Sequence, residues 1–195
     1  MSTRYEVVPW VADPPAGGWR GRALVLPGRD YTAEHSALYW GRRVLAQAGW
    51  RVVTMRWNTD GLAYDDFRTF VEDGAQVLDD AAGEDRQTLI LGKSLGTVAA
   101  GWASIRRYPA IWLTPVMSEP LVAGSLRTYS APSLLIGGTA DRWWNTPRVK
   151  PRDQVVVELP GVDHALVRPG SWRESLTVLQ TVLTSIEDFS RSLLS

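Results

Sequence analysis

Three side chains of this sequence are of the types that nucleophilic acyl transfer needs, a hydroxyl, an imidazole and a carboxylate, each close to glycine. Ser94 stands in Gly92-Lys93-Ser94-Leu95-Gly96, directly after the apolar run Leu89-Ile90-Leu91 and before a run of helix formers. That is the setting of a serine nucleophile on a sharp strand-to-helix turn. Small residues two before and two after the serine let helix and strand crowd together around a strained backbone, and Gly92 and Gly96 supply them. A weakly acidic hydroxyl also needs a base within hydrogen-bond reach and a third group to orient that base. Of the two histidines, His164 lies in Gly161-Val162-Asp163-His164-Ala165, just after the last expected strand. His35 lies near the start of the first long helix and reads as an ordinary helix residue, with a pocket role as its alternative. Strand-end position favours His164 as the base. For the carboxylate, Gly137-Gly138-Thr139-Ala140-Asp141 puts Asp141 in the loop after another expected strand. Asp163, adjacent to His164, and Glu119, after the preceding strand, compete with it. Asp141 is preferred because adjacent loop residues seldom face each other productively.

Two rival chemistries start from the same pentapeptide. Gly92-Lys93-Ser94 resembles the end of a phosphate-binding P-loop, but that motif requires a glycine five positions before Gly92. Gln87 stands there, and the residues between read as a buried strand. A serine-lysine dyad through Lys93 is disfavoured because the side chain before an elbow serine points away from it.

An oxyanion formed during acyl transfer is held by convergent backbone amides. Leu95 offers one at the start of the helix after the serine. Arg29 offers the second from the loop after Leu26, where Gly28 permits a tight backbone course. Candidate pocket residues in the strand-end loops are Arg29, Tyr31, Trp57, Met117, Trp143, Trp144 and Leu166.

These loops must be carried by a scaffold, and the chain alternates strands with helices. Each strand is a short apolar run, as expected where helices cover both faces of a parallel sheet. The segments 22–26, 50–57, 88–92, 110–113, 133–136 and 154–159 read as strands. Helices are expected over 33–48, 64–82, 94–107 and 171–194, with room for one short helix between 115 and 130. Pro9 interrupts the Val7-Val8 run near the amino terminus, which reads as an edge strand pairing with the next strand. The whole is a doubly wound α/β sheet over a single domain, 1–195, whose working groups gather at the carboxyl ends of the strands.

Composition narrows the function classes. The chain has 195 residues, enough to bury a sizeable core, and 21 basic against 21 acidic residues. That balance gives no electrostatic case for nucleic acid or an anionic membrane as partner. Arg106-Arg107 and the basic run at 148–152 read as solvated loops or helix ends. No cysteine is present, so disulfides, thiolate metal sites and a cysteine nucleophile are excluded. Nothing in the sequence requires a metal or organic cofactor. There is no long apolar segment, and a cytoplasmic protein is expected. The 10 tryptophans read mostly as packing with satisfied indole donors, a minority lining a pocket.

With these residues in hand, the chain resembles the small, lidless bacterial members of the α/β-hydrolase superfamily. Leu26-Pro27-Gly28-Arg29-Asp30-Tyr31-Thr32, Gly92-Lys93-Ser94-Leu95-Gly96, Gly138-Thr139-Ala140-Asp141 and Gly161-Val162-Asp163-His164 fall where that family has its oxyanion, elbow, acid and histidine loops. The order Ser94, Asp141, His164 is the family's order. Many members have His-Gly where this chain has Pro27-Gly28, a change that keeps the backbone amide. The resemblance implies an α/β-hydrolase fold of about six to seven mostly parallel strands with no large cap domain, and a shallow, open site. It also implies a serine hydrolase acting on a small-molecule carboxylic ester or thioester. The same fold hosts pathway enzymes that use the triad for cyclisation, acyl transfer or C–C cleavage, and non-catalytic binding proteins. An intact serine, acid and histidine set argues against the last.

Overall fold

The computed structural model describes residues 4–144 and 153–194, so the basic run at 148–152 lies outside the described residues. Seven strands form one sheet: β1 (Tyr5–Pro9), β2 (Gly21–Leu26), β3 (Trp50–Trp57), β4 (Thr88–Lys93), β5 (Ala110–Leu113), β6 (Ser133–Gly138) and β7 (Gln154–Leu159). Their spatial order is β1-β3-β2-β4-β5-β6-β7, and every neighbouring pair is parallel except β1 with β3. The helices are α1 (Ser36–Gln47), α2 (Phe67–Ala82), α3 (Ala100–Ile105), α4 (Pro120–Arg127) and α5 (Trp172–Ser192).

The apolar strand runs are explained by two buried faces. Successive residues of a strand point to opposite sides of a sheet. Ala23, Val25, Leu89, Leu91, Ile111 and Leu113 therefore meet Leu38 and Leu45 of α1 and Val182 and Ile186 of α5. Leu24, Leu26, Ile90 and Trp112 pack on the other side with Phe70, Val71 and Leu78 of α2, Trp102 of α3 and Leu126 of α4. Every residue of β2, β4, β5 and β6 is buried, so these central strands carry no polar-out alternation.

Two expectations are corrected. The amino-terminal strand is an edge strand, but it pairs antiparallel with β3, Tyr5 opposite Trp57, and not with β2. Both edges of β2 are already taken by β3 and β4, which reach it through crossover connections containing α1 and α2. The chain from Trp10 to Arg20, which includes Pro14, Pro15, Gly17 and Gly18, crosses over instead of forming a tight hairpin. The helix expected over 94–107 is in two parts, a 3-10 segment Ser94–Ala99 followed by α3. Within its first turn the Thr97 hydroxyl donates to the Ser94 carbonyl at 2.6 Å. Among the described residues no helix is long and apolar enough to cross a membrane.

Candidate active site

The turn from β4 into the 3-10 segment is built by steric exclusion. Ser94 has φ +50°, in the left-handed region that costs a non-glycine residue about 1–3 kcal/mol. A Cβ on Gly96 would run into the Leu26 carbonyl, and one on Gly92 into the Trp112 ring. Only glycine at both positions lets the segment seat against β2 and β5 while the serine stands at the strand's end. Gly28 is similarly close: a Cβ there would sit 3.4 Å from Ser94 Cβ and 3.0 Å from Tyr31 Cβ.

At the carboxyl ends of β6 and β7 two more loops meet the serine. His164 Nε2 is 2.7 Å from Ser94 Oγ, and His164 Nδ1 is 2.7 Å from Asp141 Oδ2. The Asp141 side chain is fully buried, that of His164 a quarter exposed. Asp141 Oδ1 accepts the Trp143 amide at 2.9 Å, so both carboxylate oxygens are engaged and the residue cannot swing away without losing a bond. The Trp143 ring meets the imidazole edge-on, centroids 4.4 Å apart. These loops approach closely because Gly138 has no side chain: a Cβ would collide with the Val162 carbonyl, while the Ala140 amide donates to that carbonyl at 3.0 Å.

The competing acids have other work. Asp163 Oδ1 accepts the amides of Ala165 (2.9 Å) and Val167 (3.2 Å) and shapes the histidine loop. Glu119 is the residue before α4 and lines the cavity beside Ser94. His35 is the residue before α1; its Nδ1 lies 3.1 Å from Thr32 Oγ1, and its ring stacks on Tyr31. The Arg29 amide donates to no group among the described residues. The Leu95 amide is in the first turn of its segment, where amides have no partner within the helix.

A cavity of about 660 Å³ opens beside Ser94, within the range of small-molecule sites. Of the expected pocket residues, Arg29, Tyr31 and Trp143 line it together with Leu95. Trp57, Met117, Trp144 and Leu166 do not, and the structure shows why. The Trp57 indole donates to the Gly28 carbonyl at 3.2 Å, bracing that loop from behind. Met117 is nearly buried, and its amide donates to the Trp143 carbonyl at 2.9 Å. Trp144 lies flat where a Cβ on Gly137 would be, its indole donating to Glu158 at 2.8 Å. Leu166, φ +62°, is buried in the core beneath α5. All four support the loops whose tips line the cavity.

The walls not foreseen are Tyr64, Phe67 and Arg68 on one side, with Val116, Leu121 and Val122 on the other. The first group stands in the connection after β3 and the second in the connection after β5. The strand-end rule could have found both groups, had it been carried one helical turn beyond each loop. They make the site a cleft where a shallow surface is expected. The Arg29 guanidinium lies over the Phe67 ring, 5.3 Å from its centroid. Among the described residues no group of three His, Cys, Asp or Glu is arranged to hold a metal ion.

Behind the cleft, Lys93 is fully buried. Its Nζ donates to Thr114 Oγ1 at 2.5 Å and to the His164 backbone carbonyl at 2.6 Å, and lies 4.6 Å from the Tyr31 ring centroid. Burial pushes its pKa down to about 7, against the opposing pull of Asp141 and Asp163. The side chain therefore points away from the serine hydroxyl.

No family model matches the sequence, and no curated protein matches it. Solved structures do. Est1E from Butyrivibrio proteoclasticus, determined with ferulic acid bound, superposes with a TM-score of 0.68 at 14% identity, covering 95% of this chain and 93% of that one. An alpha-beta serine hydrolase homologue from Coxiella burnetii gives 0.68 at 15% identity, covering 93% and 90%. XC6422 from Xanthomonas campestris, an α/β serine hydrolase without a lid, gives 0.64 at 15% identity, covering 97% and 89%. Likeness at such identity speaks to architecture. With seven mostly parallel strands, helices on both faces and only the 8-residue α4 between β5 and β6, this chain has the α/β-hydrolase fold without a cap domain.

Proposed function

We propose that this protein is a serine hydrolase that cleaves a carboxylic ester or thioester of a small molecule through an acyl-enzyme. The observation that carries the reading is the pair of 2.7 Å contacts that link Ser94 Oγ, His164 and Asp141 at the wall of a cleft. The serine hydrolases and esterases that share the fold support it.

In this reading His164 Nε2 takes the proton of Ser94 Oγ as that oxygen attacks the substrate carbonyl carbon. Asp141 Oδ2 accepts a hydrogen bond from Nδ1–H, which fixes the tautomer that leaves Nε2 free as base. The tetrahedral oxyanion is held by the amides of Leu95 and Arg29, neither of which has a competing acceptor among the described residues. The C–O or C–S bond then breaks, and the imidazolium returns its proton to the leaving group. Water attacks the acyl-serine by the same route, releasing the acid and restoring the hydroxyl.

The cleft favours a substrate whose acyl or aryl part is apolar. Tyr31, Phe67, Val98, Val116, Val122 and Trp143 are among its lining residues, and flat aromatic walls suit a ring as well as an alkyl chain. The ferulic acid bound to Est1E is consistent with a ring-bearing acyl group in this fold.

A fluorophosphonate should label the wild-type protein at Ser94, with labelling lost in Ser94→Ala and His164→Ala. A folded wild-type protein that stays unlabelled sinks the reading. A panel of nitrophenyl esters and acyl thioesters of graded length and ring content, run in parallel, measures the acyl pocket.

A further inference from the structure

Among the described residues, four non-glycine residues have positive φ: Ser94, Arg107, Thr114 and Leu166. Three of them cluster at the carboxyl end of the sheet. Ser94 follows Lys93, Thr114 directly follows β5, and Leu166 lies two residues beyond His164. Strained backbone persists only where surrounding contacts over-determine it, and a β-branched residue such as Thr114 is among the least tolerant of that region. One group touches all three segments. Lys93 adjoins Ser94 in the chain, its Nζ donates to Thr114 Oγ1 at 2.5 Å, and it donates to the carbonyl of His164 at 2.6 Å. It also faces the Tyr31 ring of the loop that carries Gly28 and Arg29.

An ammonium is costly to bury without a paired carboxylate. Lys93 has no carboxylate within ion-pair distance among the described residues; neutral oxygens and a π-face hold it. A methionine would fill the same space without that cost. The lysine's three donors, by contrast, suit a junction of three loops that each bring one acceptor. From this juxtaposition we infer that Lys93 is a positioning residue, which sets the imidazole of His164 against Ser94 by tying the histidine loop, the end of β5 and the oxyanion loop to one buried cation.

This inference rests on the serine-hydrolase reading. The charged groups that face Lys93 are Asp141 and Asp163, and the titratable neighbour on its own hydrogen bond is the residue whose carbonyl it holds, His164. When the cation loses its proton, as burial lets it do near neutral pH, one donor and the attraction to the Tyr31 ring go with it. Activity should fall on the alkaline side for that reason.

The test compares wild type, Lys93→Met and Thr114→Val by fluorophosphonate labelling, by steady-state kinetics on an ester from the panel across pH 5.5 to about 9.5, and by thermal unfolding. For Lys93→Met the expected result is a kcat lower by about 10–100-fold, the size of effect that misplacing a catalytic group by a fraction of an ångström to an ångström produces. KM should be unchanged, the alkaline limb of the profile lost, and the melting temperature at pH 6 no lower than wild type. Thr114→Val removes one acceptor and should show a smaller loss in the same direction; it carries the test should Lys93→Met fail to fold. Wild-type kcat and pH profile in a folded Lys93→Met overturn the inference, as does a loss of kcat that merely tracks a loss of melting temperature. A folded wild type that takes no label overturns the hydrolase reading and this inference together, whereas a labelled wild type with an equally reactive Lys93→Met overturns the inference alone.

Discussion

Asp141 has two oxygens with two different partners, and the difference makes a sharp prediction. Oδ1 accepts the Trp143 amide and Oδ2 faces His164 Nδ1. In Asp141→Asn the Trp143 amide keeps its oxygen acceptor, so the new NH₂ group must face Nδ1. That imidazole then has to carry its proton on Nε2, where it cannot act as base toward Ser94. On the hydrolase reading, kcat should fall by about 10⁴-fold with the fold intact, measured by ester hydrolysis beside a circular dichroism spectrum. Wild-type activity in this variant would remove Asp141 from the proposed mechanism. Asp163 offers the contrast. Its Oδ1 holds two amides of its own loop, so Asp163→Asn keeps an acceptor there and should retain most of the activity.

Among the elements, the glycines decide how close strand, segment and loop can come. Gly96 sits against the Leu26 backbone, which cannot move without breaking β2 from its neighbours. Gly96→Ala should therefore cost about 3 kcal/mol or more of stability, the upper range for an overpacked core, read as a lowered urea midpoint. Gly124, inside α4, has nothing nearer than Arg127 Nη2 at 3.9 Å. There Gly→Ala removes unfolded-chain entropy without a clash and should add about 0.4–1 kcal/mol. The opposite signs of these two substitutions test the packing account directly. The same element logic explains Trp144, whose ring occupies the space that Gly137 leaves, and so becomes wall support instead of cavity lining.

For the whole molecule, stability should rise and then fall with pH. The chain is formally neutral at pH 7, so general self-repulsion contributes little near neutrality. Lys93 has its pKa lowered to about 7 by burial. Between there and the ordinary lysine value the unfolded chain binds a proton that the folded chain does not, so stability rises with pH, by at most about 1.4 kcal/mol per unit. Tyr5, Tyr108 and Tyr129 have raised values, burial being the first cause of each. Above the ordinary tyrosine value the folded chain holds protons that the unfolded chain releases, so stability falls. Urea midpoints at pH 6, 8, 9.5 and 11 should trace this arch, and Lys93→Met should flatten its rising side. At the opposite end of the sheet, Arg22 is 5% exposed and bonds Asp79 Oδ1 at 2.5 Å and Thr88 Oγ1 at 2.9 Å. Arg22→Ala would leave the buried Asp79 carboxylate only Arg106 Nε at 3.8 Å and the Tyr108 hydroxyl at 3.2 Å, and should lower stability by about 3 kcal/mol, the lower end for a broken buried pair.

By itself, the sequence determined what depends on neighbours along the chain. The glycines flanking Ser94 announce a turn that only small residues permit, the short apolar runs announce strands buried on both faces, and the spacing of the strand-end loops orders Ser94, Asp141 and His164. Tertiary structure alone decided what depends on which surfaces meet. Edge pairing of β1 turned on β3 and β4 taking both sides of β2, which left the outer side of β3 open. Trp57, Met117, Trp144 and Leu166 sit in loops of the right kind, but a side chain beside a cleft faces inward or backward according to the packing behind it, and here all four face backward. The burial of Lys93 followed from three loops converging on it, a meeting of residues 31, 114 and 164 that no local pattern encodes. Local backbone sterics are written in short range, whereas the direction a side chain takes is a property of the space that distant segments leave for it.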